Sequence, residues 1–179
     1  ALEQQGYAHY LSADIREVHI YGPKPPPTWL DNLPLPTKFR WHNSLRLFPG
    51  NAELPEDVST ITVSADSFTT FAIRYASKER AILELLDELP EHESFHHADV
   101  LMEGLSNLSP RRLQTLLEVC ASVKVKRLFL FFAERHRHAW LSKLDVSRIN
   151  LGSGKRVLVK GGKFNPRFNI TIPSDLGGT

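Results

Sequence analysis

Eight of the twelve prolines in this chain of 179 residues fall before residue 56: Pro23, Pro25, Pro26, Pro27, Pro34, Pro36, Pro49 and Pro55. Each removes a backbone donor and clashes with the preceding turn, so helices of ordinary length are excluded from that stretch. The short runs left between them alternate or carry aromatic residues, which predicts strands at Val18–Tyr21, Phe39–Trp41, Leu45–Phe48, Thr60–Val63 and Thr70–Ile73. Trp29 and Leu30, inside the proline-rich loop, are expected to cap the sheet.

From Ser77 the period changes. Ile82, Leu85, Leu86 and Leu89 recur at helical spacing, Ser77 can cap the helix and Pro90 stops it, with Lys78, Glu79, Glu84, Asp87 and Glu88 expected to face water. A second helix is predicted over Ala98–Leu105. A third opens at Ser109-Pro110, a cap followed by proline at the first helical position, and carries Leu113, Leu116, Leu117 and Cys120 on one face.

Val123 to Trp140 admits two readings. Val123 and Val125 alternate with lysines as in a strand, yet Val125, Leu128, Phe129 and Phe132 follow helical spacing. We adopt the helix, because its apolar face continues towards Trp140, Leu141 and Leu144. Phe131 is expected in the core. Arg156–Lys160 and Phe164–Ile172, separated by Gly161-Gly162, read as two strands of a closing hairpin.

These elements predict an α+β fold: a mixed or antiparallel sheet from the first 75 residues and the C-terminal hairpin, packed against about four helices. Residues 1–76 form a strand-rich part and 77–179 a helical layer with its hairpin, within one continuous domain. With 41% apolar and 23% charged residues the chain can bury a core. The single cysteine, Cys120, cannot form an internal disulfide and reads as a buried thiol. No apolar run is long enough to span a bilayer and no secretory pattern opens the sequence, so the expected location is the cytoplasm, with no membrane partner.

Charge is sorted along the chain. Residues 1–110 hold 8 Lys/Arg against 16 Asp/Glu, and residues 111–179 hold 14 against 4. A basic third of this kind is suited to a polyanion, because clustered cations release counterions when they meet phosphates. The candidate DNA- or partner-binding residues are Arg111, Arg112, Lys124, Lys126, Arg127, Arg135, Arg137, Lys155, Arg156, Lys160, Lys163 and Arg167. Those between 124 and 137 either line a DNA-facing helix or solubilise one whose other face is apolar. Arg111 and Arg112 stand at a helix N-terminus, where the dipole disfavours cations, which points to binding or to an acidic neighbour such as the Glu84–Glu93 region.

No catalytic constellation emerges, and the expectation is a non-enzymatic protein without metal or cofactor. Gly152-Ser153-Gly154-Lys155-Arg156 lacks both the spacing and the Ser/Thr of a phosphate loop. His136 and His138 could ligate a metal and His96, His97 and Asp99 could supply further ligands, but no Cys or carboxylate partner has metal-like spacing, so solvated surface histidines are expected. Glu118, Glu134, Asp145 and Asp175 do not form the carboxylate–lysine arrangement of a metal-dependent nuclease.

The run SKERAILELLDELP, followed by FHHADVLMEGLSNLSPRRLQTLLEVCASVKVKRLFLFFAERHRHAWLSKLD, resembles the C-terminal domain of AbiEi antitoxins from type IV toxin–antitoxin systems. VHIYGPKPPPTWL and LGSGKRVLVKGGKFNPRFNITIP resemble the sheet and closing hairpin of the same family. The resemblance implies a transcriptional regulator that represses its own operon and neutralises a nucleotidyltransferase-like toxin of the AbiEii type, without a stable complex between the two. It also implies an N-terminal winged helix-turn-helix. Nothing ahead of Gly6 is long enough to hold one, so reading of operator DNA is expected to lie mainly in that separate module. Two alternatives stand beside this reading: a nuclease-like enzyme remnant and a plain protein-interaction module.

Overall fold

The computed structural model describes residues 1–2, 5–6, 17–49, 54, 60–64 and 72–177. Among these residues four α-helices all begin in the same way. Ser77, Ser94, Ser109 and Ser122 each stand at an N-cap, where the hydroxyl accepts from the backbone N–H of Arg80, His97, Arg112 and Val125 respectively. Each cap satisfies one of the donors that a helix start leaves without a carbonyl. The helices are α1 (Lys78–Asp87), α2 (Phe95–Gly104), α3 (Pro110–Val119) and α4 (Val123–Arg135). The second starts three residues earlier than its apolar pattern suggests, and the ambiguous fourth segment is a helix as far as Arg135, with Trp140 in a separate 3-10 turn over Ala139–Lys143.

Helix α1 packs against the other three. Ile82, Leu83 and Leu86 are fully buried there with Met102 of α2, Leu113, Leu116 and Leu117 of α3, and Val125, Leu128, Phe129 and Phe132 of α4. Trp140 stacks on Phe129 at 5.5 Å and donates its indole N–H to Leu105 O at 2.8 Å. Phe131 is buried edge-on to Phe132, and Cys120 is a buried thiol whose pKa burial pushes up to about 11. Because α1 is enclosed on several sides, Glu79 and Glu84 do not face water. Both are buried: Glu84 pairs with Arg80 at 2.7 Å, and Glu79 Oε1 accepts from the Ser109 N–H at the start of α3.

Among the described residues the strands form three small sheets. β1 (Glu17–Gly22) and β2 (Lys38–Asn43) pair in parallel across the proline-rich connection, while β3 (Thr60–Ser64) and β4 (Ala72–Ala76) pair antiparallel. Thr70 and Phe71, expected at the start of the last of these, lie outside the described residues. Leu45–Phe48 is not a strand. Asn43 Oδ1 accepts from the Leu45 N–H and opens a 3-10 turn over Ser44–Arg46, which drives Leu47 and Phe48 into the core, where Arg80 lies over the Phe48 ring. Leu47 O then accepts from Ala121 N–H at 2.8 Å, joining this part of the chain to the helices. Trp29 is 59% exposed, on a 3-10 turn (Thr28–Asn32) that packs against β2.

The C-terminal segment forms three strands where two were expected. β5 (Arg156–Val157), β6 (Lys163–Asn165) and β7 (Ile170–Ile172) lie in the order β5-β7-β6, with β5 parallel and β6 antiparallel to β7. The turn before β7, at Pro166–Asn169, breaks the longer strand read from the sequence. Gly162 is required at the other turn: a Cβ there would stand 2.3 Å from Ile172 O.

Arg127 fastens this sheet to the helices. It is 2% exposed, and its guanidinium donates to Leu151 O (2.8 Å), Gly154 O (2.7 Å) and Asn169 O (3.2 Å). Substituting Arg127→Met would leave the Leu151 and Gly154 carbonyls without this donor, while Asn169 O keeps the Arg156 N–H, and is expected to cost about 2–3 kcal/mol. Denaturant unfolding measures that loss, and hydrogen exchange should show it first in residues 151–172.

Candidate nucleic-acid interface

The basic residues divide into those the fold uses and those it presents. On α4, Lys124 reaches back to the end of α1, donating to the carbonyls of Asp87 and Leu89 and lying 3.6 Å from the Asp87 carboxylate. Such a cation complements the carbonyls left open at a helix C-terminus. Lys126 is 4% exposed, its pKa lowered by desolvation, and Arg127 is held as described above. Arg135 is bound by Asp99 at 3.0 Å and by Leu176 O at 3.0 Å. Of the α4 group only Arg137, just past the helix end at φ 51°, stands exposed.

Arg112 approaches the buried Glu79 carboxylate at 4.0 Å, with Arg111 exposed beside it on the first turn of α3. The acidic neighbour that offsets the dipole there is thus Glu79, upstream of the stretch proposed from sequence. In the C-terminal sheet Lys163 donates to Gly177 O, and Arg167 pairs with Glu134 while remaining 71% exposed. Lys155, Arg156 and Lys160 are exposed. Lys155 places its ammonium 4.7 Å from the centroid of the Phe164 ring.

Three of the four histidines considered as ligands have structural partners, His97 lying 3.0 Å from the Glu93 carboxylate. His136 Nε2 lies 2.7 Å from Asp99 Oδ1, and His138 Nε2 lies 2.6 Å from Met102 O with its ring stacked on Trp140. Among the described residues no group of three His, Cys, Asp or Glu is placed to hold a metal ion. No helix among them is long and apolar enough to cross a membrane.

A second polar cluster was not recognised from sequence. The parallel register sets His19 beside Arg40 and Tyr21 beside His42, so one face of β1–β2 carries alternating polar groups. The rings of His19, His42 and Tyr21 stack at 4.9 and 4.6 Å. His19 Nδ1 and His42 Nε2 are 2.9 Å apart, His42 Nδ1 is 2.9 Å from Glu88 Oε1, and Arg40 binds Glu17. This run borders a cleft of about 520 Å³ whose lining includes Trp41, Arg46, His92 and Lys124. The signal available in the sequence was the alternation Glu17-x-His19-x-Tyr21 against Arg40-x-His42.

A family model described as a transcriptional regulator, AbiEi antitoxin of a type IV toxin–antitoxin system, matches residues 16–173. The chain belongs to the AbiEi antitoxin family. The match spans the proline-rich pair of strands, all four helices and the C-terminal sheet up to Pro173, and so includes every exposed cation named above. No curated protein and no solved structure matches the chain.

The stacked histidines make the AbiEi chain sensitive to acid. Burial first, then neighbouring cations (His42 and Arg40 on His19; Arg40 and His92 on His42), lowers both imidazole pKa values below the usual 6.5. The unfolded chain therefore binds protons first as pH falls, and stability present above pH 6.5 is lost below it. His97, raised chiefly by its hydrogen bond to Glu93, opposes this, contributing stability below pH 6.5 that is lost as pH rises through its folded value. Thermal unfolding between pH 7.5 and 5 should show a falling midpoint, and His19→Asn should flatten the fall.

Proposed function

We propose that this chain is the antitoxin-bearing, DNA-contacting part of a type IV regulator. It counters a nucleotidyltransferase-like toxin of the AbiEii type and assists DNA binding and autorepression. The observation that carries this reading is the family match over residues 16–173, which takes in both the helical core and the cationic C-terminal sheet. Lys155, Arg156 and Lys160, with Arg137 and the outward guanidinium of Arg167, supply phosphate contacts. Lys124, Arg127 and Arg135 act behind them by holding the sheet and helix ends in place, and Lys126 is buried. Such contacts position a protein on a duplex without reading bases.

The reading is non-enzymatic. Three of the four carboxylates in the basic third are already engaged: Glu118 with Arg148 and Gln114, Glu134 with Arg167, and Asp145 with Ser147.

Two measurements test the proposal. Cells producing the cognate toxin together with this chain should keep growing, and arrest as rapid as with toxin alone would remove the antidote from this region. Duplex DNA should bind weakly, without sequence preference, and detach by 0.5 M salt. Reversing Lys155, Arg156 and Lys160 to Glu should flatten the salt slope by about 0.9 per lost contact, whereas Glu91→Gln with Glu103→Gln should not.

A further inference from the structure

Val157 and Phe164 are 65% and 40% exposed, on the two strands that flank β7. Both pair with Thr171 across the sheet, so the three residues form one row on one face. The opposite face belongs to the core, with Ile170 and Ile172 buried. Thr171 is not offered outward as a hydrogen-bonding group, since its hydroxyl accepts from the N–H groups of Leu158 and Val159. Phe164 is therefore the aromatic surface that this face presents. The Lys155 ammonium lies over the ring, and residues 149–173 contain five Lys or Arg and no Asp or Glu.

An exposed ring inside a purely cationic segment matches one ligand chemistry closely. Phosphates meet the cations, and a base that is not held in a duplex stacks on the ring. A duplex offers this surface its phosphates alone, because its bases are already stacked on one another. We propose that the outer face of the C-terminal sheet binds single-stranded nucleic acid, with an unpaired base stacked on Phe164 and Lys155 turned from the ring to the adjoining phosphate. The proposal rests on the phosphate-contacting role given to this sheet above, and adds the base. Lys155 is exposed, and the cation–π approach is what holds its ammonium over the ring.

The test is fluorescence anisotropy with a labelled 12-nucleotide strand of mixed sequence, in DNA and RNA versions, and with the corresponding blunt duplex. Phe164→Ala should weaken both single strands roughly five- to a hundredfold and leave the duplex unchanged, while Phe164→Trp should retain strand binding. Melting curves establish that each variant is folded. Phe164→Ala binding the strands as tightly as the unsubstituted chain, or losing strand and duplex equally, would overturn the stacking. Lys155→Glu with Lys160→Glu separates the two ideas: a loss on strand and duplex without any effect of Phe164→Ala removes the stacking alone, whereas no loss on either removes the phosphate contacts as well. Where Phe164→Ala does act, the tighter-binding strand type identifies RNA or DNA as the source.

Discussion

A guanidinium cannot sit in a protein interior unless the interior answers its charge. Arg127 is enclosed by the helices and the C-terminal sheet, and the answer comes from three carbonyls of the polypeptide, not from a carboxylate. Gly154 and Asn169 turn those carbonyls towards it from positive φ, a conformation that suits glycine and that asparagine tolerates better than most residues. Asn169 O also accepts from the Arg156 N–H, so the same point anchors the start of β5. The orientation of the whole cationic sheet therefore descends from one buried side chain on α4. A short sheet of two- and three-residue strands has little pairing of its own to hold it flat, and Arg127 supplies the tether.

The N-terminal strands are joined to the helices by different means. Phe48 and Leu47 contribute apolar burial, and Glu88 at the end of α1 meets His42 at the edge of the cleft. Since each imidazole contact in the His19–His42–Glu88 run needs one hydrogen between two heavy atoms, double protonation is incompatible with the 2.9 Å separation of the two rings. That junction is consequently a part of the fold whose strength follows pH, whereas the Arg127 tether carries a charge that does not titrate in the ordinary range.

Legibility in the sequence followed how local the determining physics was. The helices starting at Ser77 and Ser109 were readable, because a capping hydroxyl precedes an apolar face and, in one case, Pro110. Ser94 was passed over because His96 and His97 interrupt the apolar signal in the first turn. Parallel pairing of β1 with β2 and the β5-β7-β6 order depend on partners distant in sequence, which alternation within one strand cannot specify. Leu45–Phe48 alternated like a strand, but the Asn43 side chain captured the Leu45 N–H and set a turn instead. The inward fate of Lys126 and Arg127 did leave a trace. Leu128–Ala133 is apolar on every side of its helix, which means the helix is enclosed, and charges on its first turns must then find partners inside or reach the edge of the fold.

This division of labour among cations bears on how the AbiEi surface can change. Lys124, Arg127 and Arg135 are bound to backbone carbonyls and carboxylates of the fold, so their replacement alters structure before it alters any contact with a partner. Lys155, Arg156 and Lys160 stand outside, where exposed charge changes usually cost under about half a kcal/mol. Net charge counts both sets alike, but only the outer one can change without altering the fold. A chain built in this way can change its surface charge at a few residues without loosening its core, because the sheet that carries them is fixed from behind by a buried cation.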